Sequence, residues 1–316
     1  MYIYNIYKMS LEKPIYDSLK KNNLSDTSIK TYIRNLRLLN DGNELNNLKF
    51  LKDKENIMEK LKNYTDNTKR NYLISIVSIL RQFKDKEKLY NEYYKLMLKQ
   101  HDLIKNKPQN EMTETQKKNW IEWKDLEEIY NKLGDEVSKF KGKQDLENKE
   151  YGQLLKYVTL SLYMTIPPRR SKDYYMMNVV YEYDKNLSND YNYLDWKNKK
   201  FYFNNYKTAK TYNQQVINIP NDLMEIINIY LKFHPEIKGE LTKNINTPFL
   251  VNHKNKRLTA SNLKEILNSI FGKNISSSML RHIYLSHKYG DTYNDMVKDA
   301  KMMGHSLIQQ AEYVKN

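Results

Sequence analysis

The sequence predicts a mainly α-helical protein with a small antiparallel β-sheet, divided into two domains. Apolar side chains recur at helical spacing through most of the 316 residues, whereas strict alternation is limited to residues 199–204 and 214–219. A mostly polar stretch over residues 105–119 has no apolar period and separates two helical regions. We therefore expect three segments: a helical domain (1–107), a linker (108–118) and a mixed α/β domain (119–316).

Four helices are predicted in the first domain, over residues 25–40, 47–63, 63–83 and 87–104. The first starts at a Ser25 cap signal, and the third is capped by Thr65 or Asn67. Each carries apolar residues on one face, which predicts a packed bundle with basic outer surfaces. Such a bundle suits a small domain that holds DNA.

The second domain is predicted to begin with a helix from Trp120, which Gly134 is expected to interrupt. A strongly apolar helix over residues 152–166 ends at Pro167 and Pro168, because proline cannot continue a helix. The alternating stretches then predict a hairpin. Further helices follow, and Gly272, Gly290 and Gly304 mark expected breaks between them.

The charge of the chain favours a polyanionic partner. Fifty-three Lys and Arg residues against 38 Asp and Glu residues give a net charge of +15, and both predicted domains are basic. A lysine-rich surface from an AT-rich genome is the alternative explanation. The chain has no cysteine, which excludes disulfides and thiolate metal sites. It has no apolar run of the ~18 residues that cross a bilayer, and no signal peptide is expected.

Two segments of the second domain carry cations suited to phosphate. Arg169 and Arg170 follow the rigid Pro167-Pro168 pair, and a guanidinium donates two parallel hydrogen bonds to a phosphate. Asp173, three residues after Arg170, is placed to orient that arginine. In the predicted hairpin connection, Lys207 is a candidate acid for an alkoxide leaving group, with Lys210 as its competitor.

The last part of the chain supplies further polar groups. Arg281 and His282 lie on an amphipathic helix for which Leu280, Tyr284 and Leu285 are the expected core residues. His305 follows Gly304, and Tyr313 lies on the final helix, where a phenol needs in-line approach to act as a nucleophile. Taken singly, each of these residues is more often structural or solvated. No zinc-binding motif occurs, so neither a metal nor a cofactor is expected.

In this order the segments resemble the tyrosine recombinase (phage integrase) family. The strings TIPPRRSKDY (165–174), YKTAK (206–210), SMLRHIYLSH (278–287) and MGHSLIQQAEYVK (303–315) carry the resemblance. They match the family pattern of arginine, lysine, HxxRH, GH and tyrosine over residues 120–316, and residues 10–105 match the helical core-binding domain more loosely. The members suggested are integrases of viruses or mobile elements with AT-rich genomes.

The resemblance implies a metal-free reaction on double-stranded DNA. Arg170 and Arg281 would hold the non-bridging oxygens, His305 would donate a hydrogen bond to one of them, and Lys207 would protonate the leaving 5′ oxygen. Tyr313 would form a 3′-phosphotyrosyl link. Arg169, Lys210, His282 and Ser278 are accessory candidates. A homotetramer on DNA, with two basic domains closing around the duplex, is the implied assembly.

Three departures from the family pattern stand out. Ser278 occupies the position where the family usually has histidine, and His305 precedes Tyr313 by one residue fewer than the commonest spacing. Only three residues follow Tyr313, whereas recombinases often exchange a longer tail. A type IB topoisomerase-like enzyme and a non-catalytic DNA-binding protein are therefore kept as alternatives. The sequence predicts neither a cellular location nor which of Arg169 and Arg170 contacts phosphate.

Overall fold

A computed structural model describes residues 10–106 and 111–313, without the side chain of Tyr313. The chain forms two compact units, Met1–Glu111 and Met112–Asn316, whose boundary lies within the segment predicted as a linker. Helices predominate in both units. In the part of the chain so described, every helix is too short or too polar to span a membrane.

Within its described residues the first unit contains five α-helices and two short 3-10 helices, Lys49–Lys52 and Lys84–Lys86. The α-helices are α1 (Glu12–Lys21), α2 (Asp26–Leu39), α3 (Lys54–Leu61), α4 (Asp66–Leu80) and α5 (Glu87–Lys105). Helix α1 is additional to the four predicted helices. The helix predicted over residues 47–63 is divided into the first 3-10 helix and α3.

Side-chain caps start the two helices for which the sequence predicted them. The Ser25 hydroxyl accepts a hydrogen bond from the Ser28 amide at the start of α2. The Thr65 hydroxyl accepts one from the Thr68 amide, so Thr65 rather than Asn67 caps α4. Both helices then turn apolar residues into one core, which the structure buries: Ile29, Leu36, Leu39, Tyr72, Ile76, Ile79 and Leu80.

The second unit contains nine α-helices in the described residues. They are α6 (Glu114–Asn119), α7 (Trp123–Ser138), α8 (Asn148–Met164), α9 (Ser171–Tyr175), α10 (Ala209–Tyr212), α11 (Asn221–Lys232), α12 (Ala260–Phe271), α13 (Ser277–Met303) and α14 (Leu307–Tyr313). Helix α6 falls within the stretch that the sequence predicted to be irregular. A capping box between Thr113 and Gln116 starts it.

Five strands of the second unit form one mixed sheet rather than the small antiparallel sheet predicted. They are β1 (Met177–Val180), β2 (Asn192–Asp195), β3 (Lys200–Phe203), β4 (Gln215–Asn218) and β5 (Asn246–Pro248). Their order is β4-β3-β2-β1-β5. The predicted hairpin is present as the antiparallel pair β3 and β4, while β1 and β2 pair in parallel.

One face of the sheet belongs to the main core of the second unit. Leu194, Phe201 and Phe203 point to that face, where α8, α11 and α12 contribute leucine, isoleucine and tyrosine side chains. Helix α8 is the central element, with nine buried residues along its length. It ends just before Pro167, as predicted, and the Pro167-Pro168 turn follows it.

Two predicted helix breaks are absent. Helix α7 continues through Gly134, whose missing side chain leaves room for the Tyr157 hydroxyl against the helix. Helix α13 continues through Gly290 and runs for 27 residues. On α13 the expected core residues divide: Leu280 is buried and Tyr284 half-buried, but Leu285 is 50% exposed.

Candidate functional site

The turn between α8 and α9 presents two adjacent arginines. Helix α8 ends at Met164, and α9 begins after Arg170, which is its N-cap residue with extended backbone angles. Pro167 and Pro168 lie in the intervening turn, where their fixed φ angles restrict the path of the chain. Both Arg169 and Arg170 are half-buried there.

The Arg169 side chain makes two hydrogen bonds and one contact with an aromatic ring. Its Nε donates a hydrogen bond to Asp173 Oδ2 at 2.9 Å, and its Nη1 donates one to Gln215 Oε1 at 2.9 Å. Its guanidinium carbon lies 3.8 Å from the centre of the Phe203 ring, a cation–π contact. Two of its five donors are thus used, and the others remain for a ligand. The group is therefore fixed in position before any ligand arrives.

Asp173 pairs with Arg169, four residues before it, rather than with Arg170 as the sequence predicted. The carboxylate side chain is only 3% exposed, and its Oδ1 has no hydrogen-bond partner among the described residues. Burial raises the pKa of Asp173, while the charges of Arg169, Arg170 and Lys172 act in the opposite direction.

A pair of serines joins this turn to the start of α13. The Ser171 hydroxyl donates a hydrogen bond to Ser277 Oγ at 2.9 Å, and the Ser171 amide donates to the same oxygen at 3.3 Å. Ser277 is the first residue of α13, and Arg281 follows one turn later on the same helix. The bonds therefore hold Arg281 beside an arginine pair that lies more than 100 residues earlier in the chain.

The three arginines line one cavity of about 180 Å³. Its lining consists of Pro168, Arg169, Arg170, Asp173, Tyr206, Thr208, Tyr212, Gln215 and Arg281. Neither Arg170 nor Arg281 donates a hydrogen bond to any described residue. A space of this size admits a tetrahedral oxyanion together with part of its hydration shell. Three guanidinium groups and one carboxylate make the cavity suited to bind such an anion.

The two candidate lysines lie next to this cavity without lining it. Lys207 is exposed in the connection between β3 and α10, between the lining residues Tyr206 and Thr208. Lys210 is exposed on α10. The hydroxyl of Tyr206 donates to the Asn213 carbonyl at 2.7 Å, which ties the two ends of this connection together.

The remaining accessory candidates face solvent. His282 and Ser278 are both exposed, and neither lines the cavity. Ser277, one residue before Ser278, is the serine that makes the partly buried contact with Ser171. His287 is also exposed, but its ring stacks on Trp123 with 4.6 Å between the ring centres.

His305 is not among the residues that line the cavity. Arg281 and Met303 belong to one continuous helix, and 22 residues at 1.5 Å rise place them about 33 Å apart. His305 follows that helix, where its imidazole contacts the Met303 sulfur and the Ser306 carbonyl. Tyr313 ends α14, and its side chain lies outside the described residues. The catalytic assignment of both residues remains a prediction.

Sequence reasoning missed several lining residues, including Tyr206, Tyr212 and Gln215. Gln215 had a detectable signal, because it stands where the alternation of Ile217 and Ile219 calls for an apolar side chain. In the sheet it lies opposite Phe203, on the face where Arg169 is held. The two tyrosines carry no comparable signal in a chain with 28 of them.

Comparisons with known proteins add little information about the function of this chain. No protein-family model matches the chain, and no curated protein matches its sequence. Among solved structures, a crystal structure of XerA recombinase aligns with 96% of this chain and 92% of its own, at 13% identity and a TM-score of 0.35. A TM-score this low carries no functional conclusion. Over residues 10–106 and 111–313, no three His, Asp or Glu side chains form a cluster that could hold a metal ion.

Proposed function

We propose that this protein breaks and rejoins DNA strands through a 3′-phosphotyrosyl intermediate, as a site-specific recombinase of a viral or mobile element. The observation that supports the proposal is the convergence of Arg169, Arg170 and Arg281 on one anion-sized cavity. These residues come from two of the segments that resemble tyrosine recombinases, separated by more than 100 positions. A chance resemblance would not require the two segments to meet.

In the proposed reaction the arginines grip the scissile phosphate. Their donors stabilise the charge that builds on the non-bridging oxygens in the transition state. The Tyr313 hydroxyl forms a new bond to phosphorus and loses its proton to water. The bond between phosphorus and the 5′ oxygen breaks, and the Lys207 ammonium supplies the proton that this oxygen takes. Rejoining reverses these steps.

The net charge of +15 supports DNA as the substrate. Contacts from lysine and arginine to phosphates supply most of the affinity of proteins for duplex DNA, and they weaken steeply as salt is raised. Base contacts would select the target site. A homo-oligomer on DNA is part of the proposal, because exchange of strands between two duplexes needs more than one active site.

The test is covalent capture on DNA. Nicked duplexes drawn from a random-sequence pool release a short fragment on cleavage, which traps the protein on the remaining strand. We expect a denaturation-resistant adduct from the natural chain and none from Tyr313→Phe. Arg281→Ala should reduce adduct at least ~10²-fold while retaining most DNA binding. An equal amount of adduct from Tyr313→Phe would contradict the proposal.

A non-catalytic DNA-binding protein is the second candidate, favoured by one observation. Helix α13 places Met303, two residues before His305, about 33 Å from Arg281, so among the described side chains the cavity contains the phosphate-binding groups without His305. On this view the natural chain binds DNA and forms no adduct. The same capture experiment distinguishes the two functions.

A further inference from the structure

Tyr212 lines the arginine cavity, although little of its surface is buried there. It is the last residue of α10, and its side chain is 63% exposed. Its hydroxyl makes no hydrogen bond to any described residue. Burial of apolar surface therefore contributes little at this position, and the phenol is left with an uncommitted donor at a site for anions.

The backbone that follows Tyr212 is strained. Asn213 has φ 55° and ψ −161°, angles that residues other than glycine adopt only when the surrounding structure holds them there. Its amide donates a hydrogen bond to the Ala209 carbonyl at 2.8 Å, and its carbonyl accepts one from the Tyr206 hydroxyl at 2.7 Å. Through this turn the chain passes from Tyr212 to Gln215, and both line the cavity. The strained turn therefore fixes the place of Tyr212 beside the arginines.

Three of the lining residues carry a hydroxyl group, namely Tyr206, Thr208 and Tyr212. The hydroxyl of Tyr206 is already used, because it donates to the Asn213 carbonyl. Thr208 is half-buried and carries an alcohol. A phenol is a stronger acid than an alcohol and donates the stronger hydrogen bond to an anion. Tyr212 is thus the neutral lining residue best suited to contact a bound oxyanion.

Resting on the proposed function, we propose that Tyr212 is a further catalytic residue, whose hydroxyl donates a hydrogen bond to a non-bridging oxygen of the scissile phosphate. Arg170 and Arg281 supply positive charge, and the phenol adds a neutral donor that forms no covalent bond and keeps its proton. A fixed donor of this kind stabilises the transition state more than the ground state, because negative charge builds on the non-bridging oxygens during the reaction.

Cleavage of sulfur-substituted DNA tests the contact. The sequence that the natural chain cleaves is recovered from its adduct, and nicked duplexes of that sequence are made with sulfur in place of either non-bridging oxygen. We expect Tyr212→Phe to slow adduct formation on ordinary DNA by about 10²-fold. Sulfur accepts hydrogen bonds weakly, so on one of the two diastereomers this deficit relative to the natural chain should shrink by about tenfold or more. On the other diastereomer the deficit should remain.

A merely structural role of Tyr212 predicts a different result, because damage to the fold slows all three substrates alike. Equal deficits on both diastereomers, or normal cleavage by Tyr212→Phe, would overturn the proposal and leave the proposed function standing. Attachment of the DNA to Tyr212, located by mass spectrometry of the adduct, would make this phenol the nucleophile and would overturn it as well. Tyr289→Phe is the matched control. Tyr289 is 49% exposed and does not line the cavity, so this variant should cleave every substrate within about twofold of the natural rate.

Binding of tungstate distinguishes a failure of this proposal from a failure of the proposed function. Tungstate is a tetrahedral dianion whose binding requires no cleavage, and loss of binding in Arg281→Ala identifies the share that belongs to the cavity. In calorimetric titrations Tyr212→Phe should bind tungstate about tenfold more weakly than the natural chain, because one hydrogen bond to a charged group is lost. If the natural chain forms no adduct and this weaker binding is found, the proposed function is wrong but the contact between phenol and oxyanion stands. Equal binding by the two chains would show that the contact is absent.

Discussion

The hydroxyl of Ser171 donates to Ser277 Oγ at 2.9 Å and thereby joins the first residue of α9 to the first residue of α13. The arginine that precedes Ser171 and the arginine one turn after Ser277 both line the cavity. A neutral hydrogen bond between two small side chains thus helps to hold two guanidinium groups near each other despite their mutual repulsion.

We predict that Ser277→Ala weakens this junction. Loss of the acceptor leaves the Ser171 amide and hydroxyl without their partner and should lower the free energy of unfolding by about 1 kcal/mol. Adduct formation should fall because Arg281 is less firmly placed. Urea melts and the capture assay measure the two effects. Ser278→Ala is the matched control, since Ser278 is exposed and outside the cavity; equal effects of the two substitutions would contradict the role of Ser277.

Arg169 and Arg170 should behave differently when replaced by alanine. Arg169→Ala removes a half-buried ion pair and leaves Asp173 buried alone, which should cost about 3 kcal/mol in the free energy of unfolding. Arg170 makes no bond to a described residue, so Arg170→Ala should change stability by less than about 0.5 kcal/mol. Both should reduce adduct formation.

Thermal and urea unfolding distinguish the two arginines, and Arg169→Lys sharpens the comparison. A lysine keeps the charge but cannot donate from two fixed nitrogens to both Asp173 and Gln215. It should therefore recover only part of the stability. Full recovery by lysine would show that charge alone, rather than the fixed geometry, matters at this position.

Asp173 should make the protein less stable as pH rises through its folded pKa. Burial raises that pKa above the ordinary value of 3.8, so the folded state binds this proton more tightly than the unfolded chain does. The contribution of Asp173 is thus largest below pH 3.8 and declines above it. We expect the stability difference between the natural chain and Asp173→Asn to fall with rising pH in this window. Urea melts from pH 3 upward measure it.

Glu12 should affect the pH dependence of stability in the opposite direction to Asp173. The hydrogen bonds from Arg37 lower the pKa of Glu12 below its ordinary value of 4.5. Its contribution is therefore present above pH 4.5 and lost as pH falls through the folded pKa. The difference between the natural chain and Glu12→Gln should accordingly rise with pH. Slopes of the same sign for both carboxylates would contradict the assignment.

Lys207 should be required for expulsion of an oxygen leaving group but not of a sulfur one. An alkoxide needs a proton as it departs, whereas a thiolate, whose conjugate acid has a pKa near 8.5, leaves without one. Lys207→Ala should slow cleavage of ordinary DNA by about 10²-fold or more. A bridging 5′-phosphorothioate should restore the rate. Lys210→Ala is the control and should cleave both substrates normally; rescue of Lys210→Ala instead would exchange the roles of the two lysines.

The helices of the first unit were predictable because local signals and packing agree. Ser25 and Thr65 cap α2 and α4, and the apolar positions behind them form the core. The strands β1 and β2 could not be read in the same way. Each has four residues, all buried, so neither shows the alternation by which a half-exposed strand is recognised.

The sequence predicted the types of residue at the site but not which arginine pairs with Asp173. The spacing of Arg170 and Asp173 suggested a partnership, yet the turn places Arg169 next to the carboxylate and against Phe203. The contact between Arg169 and Phe203 joins residues 34 positions apart and depends on the sheet, so the sequence around Arg169 does not predict it. The continuity of α13 was missed for another reason: one glycine costs a helix only about 1 kcal/mol, too little to end it.

Trp123 lies at the start of α7 but influences the direction of α13. It packs on Tyr284 and His287, beyond which α13 continues for about four more turns. From His287 to Met303 the helix rises about 24 Å, so a tilt of about 7° at that base moves its end by about 3 Å, the length of a hydrogen bond. The volume of the Trp123 indole therefore influences the direction of the distal end of α13, and a smaller ring at residue 123 would change that direction.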